Sequence, residues 1–190
     1  MAQENRSQGM AAPATTGNPF ALEVVPSRWE YPDHYRARPV CDQLDMLAAL
    51  YPRLDATTVE WQARRFNRLP LGAELLQVVP KPTAAAGAAR IPDPYGAGFG
   101  ELLELVLDHI GRARPLRNFR DGKLGPNQVR LLYSTREHLR WLETETSGDF
   151  IVIPMQSGLL HRGSSDRRTR IEIGLNGQMA LSPWEVGYHL

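Results

Sequence analysis

Apolar residues Phe99, Leu102, Leu103, Val106 and Ile110 fall on one stripe of a helix, the most regular hydrophobic pattern in the chain. Leu105 and Leu107 widen that face, so a helix over 99–110 is the expected centre of the fold, with Gly111 placed to end it. Two shorter helical patterns precede it. In 42–51, Leu44, Leu47 and Leu50 with Met46 and Tyr51 share a face, and Pro52 follows as a stop. A second helix is expected from Thr57, because Thr57 and Glu60 have capping-box spacing and Val59, Ala63 and Phe66 recur at helical intervals. Ser134 and Glu137 repeat that spacing ahead of Leu139 and Leu142. Ser182, Pro183 and Glu185 combine an N-cap, a proline at the first helical position and a capping-box glutamate. This last helix is too short to be stable alone, so either it docks on the core or the chain is part of a longer protein.

Three segments read as strands: 75–79, ended by Pro80; 129–133, a short apolar run flanked by turn residues; and 150–153, a continuous apolar run ended by Pro154 and suited to burial on both faces. Leu159 with Leu160, and Ile171 with Ile173, extend the pattern. The fold class this implies is α+β, with short N-terminal helices, one central helix and a mixed or antiparallel sheet formed mainly by the C-terminal half. Residues 1–19 lack periodicity and are expected to be a disordered tail. Over 20–39, Trp29, Tyr31 and Tyr35 alternate with Pro26, Pro32 and Pro39, which suggests an irregular strap on the core. The expected organisation is a single domain over 20–190. The Ala-, Gly- and Pro-rich stretch 80–98 reads as a long connection, the one linker that could set off a helical subdomain at 20–80.

Composition narrows the function classes. The chain has 190 residues, 42% of them apolar, enough for one core without disulfides or metal. A net charge of +1 and a pI near 8.0 give no global field toward nucleic acid or membrane. The N-terminal stretch joins no basic start to an apolar run, so no signal peptide or membrane span is expected, and the cytosol is the expected compartment. Cys41 has no cysteine partner and sits beside Asp42, whose charge disfavours a thiolate; a small packed residue is expected there. Trp29, Trp61, Trp141 and Trp184 read as core anchors. His34, His109, His138, His161 and His189 stand singly, without metal-ligand spacing. Gly96, Gly98 and Gly100 precede the central helix, but Glu101 stands where a dinucleotide motif needs glycine, and 91–94 is proline-broken. A flexible loop is expected there, and no cofactor.

Charge is informative only locally. All 22 basic residues except Lys81 and Lys123 are arginine, so a single arginine says little. Residues 112–140 nevertheless hold eight basic side chains against Asp121 and Glu137. They are Arg112, Arg114, Arg117, Arg120, Lys123, Arg130, Arg136 and Arg140, interleaved with Phe119, Tyr133 and Trp141 as stacking surfaces. Asp121-Gly122 and Gly125-Pro126 should make an exposed turn there. The second locus, 161–170, carries His161, Arg162, Ser164, Arg167, Arg168 and Arg170 in what reads as a loop between strands, with groups that bind phosphate or carboxylate. Ser164, His161 and Asp166 are a poor hydrolytic triad, because such members usually come from separated segments. Nearby Glu101, Glu104 and Asp108 are available to neutralise the first locus.

The leading expectation is a non-catalytic binding protein that contacts an anionic partner, nucleic acid first, through the two arginine loci and without a membrane. The alternatives are an assembly subunit with a protein partner, and a small enzyme acting on a phosphorylated or carboxylated substrate near His161.

Overall fold

The computed structural model describes residues 19–189 except Trp29, Pro32, His34, Arg114, Leu116, Asn118, Arg120, Asp121 and 124–127; the expected tail at 1–18 lies outside the described residues. Seven helices and a two-stranded antiparallel sheet appear among the described residues, an α+β architecture. Strand β1 (Leu75–Pro80) pairs with β2 (Phe150–Met155) in the register Leu75↔Met155 to Pro80↔Phe150. Alternate residues therefore face opposite ways. Val78, Phe150 and Val152 join the main core, while Val79, Ile151 and Ile153 form a second cluster on the other face.

A two-stranded sheet has two open edges, and side chains close both. On β1, Gln43 Nε2 donates to Leu76 O (2.9 Å), and the Val78 amide donates to Gln43 Oε1 (2.8 Å). On β2, Gln62 does the same, donating to Phe150 O (2.9 Å) and accepting from the Val152 amide (3.0 Å). Trp184 Nε1 donates to Pro80 O at 2.9 Å. Pro154 has no N–H to leave unpaired, which is why it sits inside the strand instead of ending it. Each glutamine thus stands in for a neighbouring strand.

Helices α1 (Val40–Leu50) and α2 (Val59–Arg64) carry these glutamines onto the sheet edges. The expected Thr57–Glu60 box does not form: the Thr57 hydroxyl bonds Asp55 Oδ1 instead, and α2 starts two residues later. Helix α4 (Phe99–Ala113) buries Phe99, Leu102, Leu103 and Val106 as expected. It runs past Gly111, a cost of only ~1 kcal/mol in an open helical position.

The stretch 82–98 is not a bare connection. Pro82 at a helix start and a run of alanines give α3 (Pro82–Ala89), with Ala85 and Ala86 in the main core. Nor is the glycine loop before α4 loose. It winds on Asp93, which accepts from the Gly98 amide (3.0 Å), and a Cβ on Gly98 would lie 2.1 Å from Pro92 O.

Three strand expectations fail. Val129 and Leu131, both partly buried, pack on the core without pairing, and α5 (Tyr133–Glu145) follows. Its first turn lacks the expected Ser134–Glu137 box, because Glu137 pairs with Arg136 and Arg140. Leu159 and Leu160 lie exposed in a turn. Ile171 and Ile173 belong to α6 (Asp166–Leu175), capped by Ser165, whose hydroxyl accepts from the Arg168 amide at 3.2 Å.

Helix α7 (Pro183–His189) docks as its capping sequence allows. Glu185 accepts from the Ser182 amide (2.8 Å) and hydroxyl, Trp184 is fully buried, and Gly187 packs so close to α4 that a Cβ would meet Val106 Cγ1 at 2.6 Å. Among the tryptophans only Trp184 is a core anchor of the described residues; Trp61 and Trp141 are 58% and 54% exposed. Cys41 is exposed too, its thiol pushed up by a hydrogen bond to Asp42.

Burial raises the Glu185 carboxyl above its ordinary value, against the lowering effect of its bonds to Ser182. A carboxyl raised on folding contributes stability below its unfolded value of 4.5, and this is lost as pH rises through the folded value. The wild-type protein should therefore gain stability relative to Glu185→Gln as pH falls from neutrality toward 4.5, read as the difference between urea midpoints.

Candidate ligand-binding cleft

On the sheet face that carries Ile151, Ile153 and Met155, the covering elements part to leave a cleft of about 800 Å³. One wall is α5, with His138, Trp141 and Leu142. The other comes from Ile173 of α6, Met179 and Leu181 of the following link, and Val186 and His189 of α7. Phe66 and Leu71 line it as well, and Leu71 is 100% exposed. Its volume lies within the ~300–1,000 Å³ usual for small-molecule sites.

Polar groups gather where β2 ends. Ser157 Oγ lies 3.2 Å from His189 Nε2, and the Ser157 amide donates to Glu74 Oε2 at 3.2 Å. The strap reaches the same place: the Tyr31 hydroxyl donates to Glu74, Tyr31 stacks on Tyr35 at 4.4 Å, and Tyr35 tilts against His189. Burial beside the Glu74 carboxylate pushes the Tyr31 hydroxyl up to about 12. His161 is held between Glu172 Oε2 (3.4 Å) and Gln178 Oε1 (3.1 Å). Burial lowers His189 below the ordinary imidazole value, with Glu74 opposing it, and lowers His138 as well. In both rings burial thus favours the neutral form.

Of the described charged and polar candidates from the sequence, only His161 lines this cleft, joined by Trp141 from the first locus's stacking residues. Arg162 points to the strap, pairing with Glu30 (3.3 Å) and donating to Ser27 O (3.4 Å). Ser164 bridges to Val24, Arg167 lies over the Phe20 ring at 5.8 Å, and Arg168 pairs with Glu172 at 2.6 Å. Arg170 is exposed on α6, so the expected loop is a turn leading into a helix start, in which Arg162 and Arg168 are paired with Glu30 and Glu172. Ser164, His161 and Asp166 do not converge: the first joins the strap, the second turns to the cleft and the third is exposed in the first turn of α6.

In the other locus Arg112 pairs with Asp108 at 2.5 Å, and Arg136 and Arg140 share Glu137. Arg117 lies 4.6 Å from the centre of the exposed Phe119 ring, while Lys123 and Arg130 are exposed. Arg114 and Arg120, with most of the expected turn at 121–126, lie outside the described residues.

Sequence reasoning missed Ser157, Gln178, Trp141 and His189 as a group. Ser157 and His189 stand in no motif and meet only through β2 and the docking of α7. Among the described residues no cluster of three His, Cys, Asp or Glu is arranged to hold a metal ion, and no helix is long and apolar enough to cross a membrane. Comparison with protein-family models, curated proteins and solved structures finds no match to the chain.

Proposed function

We propose that the protein is a non-catalytic binding protein whose ligand, a small and largely apolar molecule, occupies the cleft over β2. The observation that carries this reading is the cleft itself, an apolar floor of Ile151, Ile153 and Met155 with polar groups converging at one end. Binding is favoured over catalysis because the amide that follows Ser157, that of Gly158, already donates to Gln156 Oε1 at 2.7 Å and so is engaged instead of waiting for an oxyanion. Nile red, an uncharged apolar fluorophore, should bind one-to-one. Trp141→Ala should weaken it by about tenfold, the loss of roughly one buried aromatic contact, and Trp61→Ala, outside the cleft, should leave it unchanged. Equal effects of the two substitutions, or no saturable binding, would contradict the reading.

A second reading keeps the anionic partner, and the exposed Arg117–Phe119 pair, with Lys123 and Arg130 exposed further along the chain, favours it, since arginine over an aromatic ring is a surface on which unpaired bases stack. Single-stranded RNA or DNA retained on filters at low salt, released at high salt, and weakened by a Phe119→Ala, Arg117→Ala double substitution is the expected result. Retention unaffected by either salt or the substitutions argues against it.

A further inference from the structure

We propose that the cleft selects ligands with an uncharged, hydrogen-bonding head group, an alcohol or amide, seated against Ser157 and His189 with the apolar remainder lying over Ile153 and Met155. This rests on the cleft being the ligand seat and adds which chemistry it takes.

Charge complementarity around the cleft decides the head group. Among the described residues Arg65 is the sole lysine or arginine that lines it, and that side chain is exposed with its guanidinium over the Trp61 ring at 5.3 Å. An anionic head at the Ser157 end therefore meets no cation from the lining. It meets two carboxylates close behind: Glu74, bonded to the Ser157 amide, and Glu172, beside His161. A cationic head fares no better there. Glu74 already accepts from Tyr31 and Ser157, and Glu172 from Arg168, and both stand behind the lining; of the carboxylates in the lining, Glu185 is bonded to Ser182, and Glu145 is exposed at the end of α5 that leads into the start of β2, whereas Ser157 follows its end.

A hydroxyl or amide fits what remains. The Ser157 hydroxyl bonds both the His189 ring and the Tyr31 hydroxyl, and hydroxyl and imidazole together still keep donor or acceptor capacity. An uncharged head loses little on leaving water, whereas an unpaired ion loses far more.

Octanol, octanoate and octylammonium present one chain with three heads, and titration calorimetry of each against the full chain at pH 7.5 tests the inference. Octanol is expected to bind about tenfold or more tighter than either ion, and Ser157→Ala to reduce that preference severalfold, the size of one lost hydrogen bond. His189→Gln, which retains an amide in place of the ring, should keep most of the preference and so separates lost chemistry from lost folding. Octanoate or octylammonium binding as tightly as octanol overturns the head-group inference while leaving the cleft as a ligand seat. A Ser157→Ala chain that folds and keeps the full preference overturns the proposed seat. Failure of all three to bind while Nile red binds overturns the inference alone, and failure of Nile red as well removes the cleft reading with it.

Discussion

Trp184→Ala is expected to remove ~3–5 kcal/mol of stability, the usual cost of deleting a large buried aromatic. The indole is fully buried in the main core, packs edge-on against Tyr188 with ring centroids 4.9 Å apart, and donates to Pro80 O. Losing it opens a cavity and also leaves a strand-edge carbonyl without its partner. Domains hold only about 5–15 kcal/mol in total, so the variant should be partly unfolded at room temperature or close to it. Urea unfolding is the check. Trp61→Ala, which removes a ring of similar size from a 58% exposed position, should shift the midpoint little. The comparison separates the role of burial from that of residue type.

Gln62→Ala is the second large effect, expected at about 2–4 kcal/mol, because it strands two backbone groups at once at roughly 1–3 kcal/mol each. The Val152 amide loses its acceptor and the Phe150 carbonyl its donor, both in buried positions. Gln62→Glu should not rescue the fold: it restores an acceptor for Val152, gives Phe150 O no donor and places a charge where only 2% of the residue is exposed. The half-buried Gln43 is expected to cost less when truncated, since water can reach its side of β1. Urea midpoints for the single and double variants measure this. The two costs should add if the glutamines close opposite edges independently.

Much of this architecture was legible where one local rule decided it. The α4 stripe, the two apolar strands and the capping residues of α7 are statements about neighbours in sequence, and the structure keeps them. What was not legible depended on partners far along the chain. The run at 129–133 is apolar apart from Arg130 and packs the partly buried Val129 and Leu131 against the core. Yet no edge is free to receive it, because residues 43 and 62 have already closed the sheet. A glutamine that replaces a strand leaves no pattern in the sequence. Helix α3 was hidden differently, since alanine was grouped with glycine and proline as linker composition although it is the strongest helix former.

The candidate site divides the same way. Arg168 and Glu172 pair because they are four residues apart on α6, a helix that the sequence reads as loop and strand, and Arg162 meets Glu30 only through the fold. His138, His161 and His189 stand alone in sequence, yet all line one cleft. Leu142 of α5 and Tyr188 of α7 pack on the cluster of Val79, Ile151 and Ile153, and His161 is held by Glu172 and Gln178, so the three meet only through the fold.

The most direct test of the cleft is an NMR titration of the full chain with octanol, following backbone amides and tryptophan indoles. The account predicts saturable shifts at 151–157, at 178–181 and at the Trp141 indole, with 117–130 unmoved. Shifts confined to 117–130, or none that saturate, would contradict it.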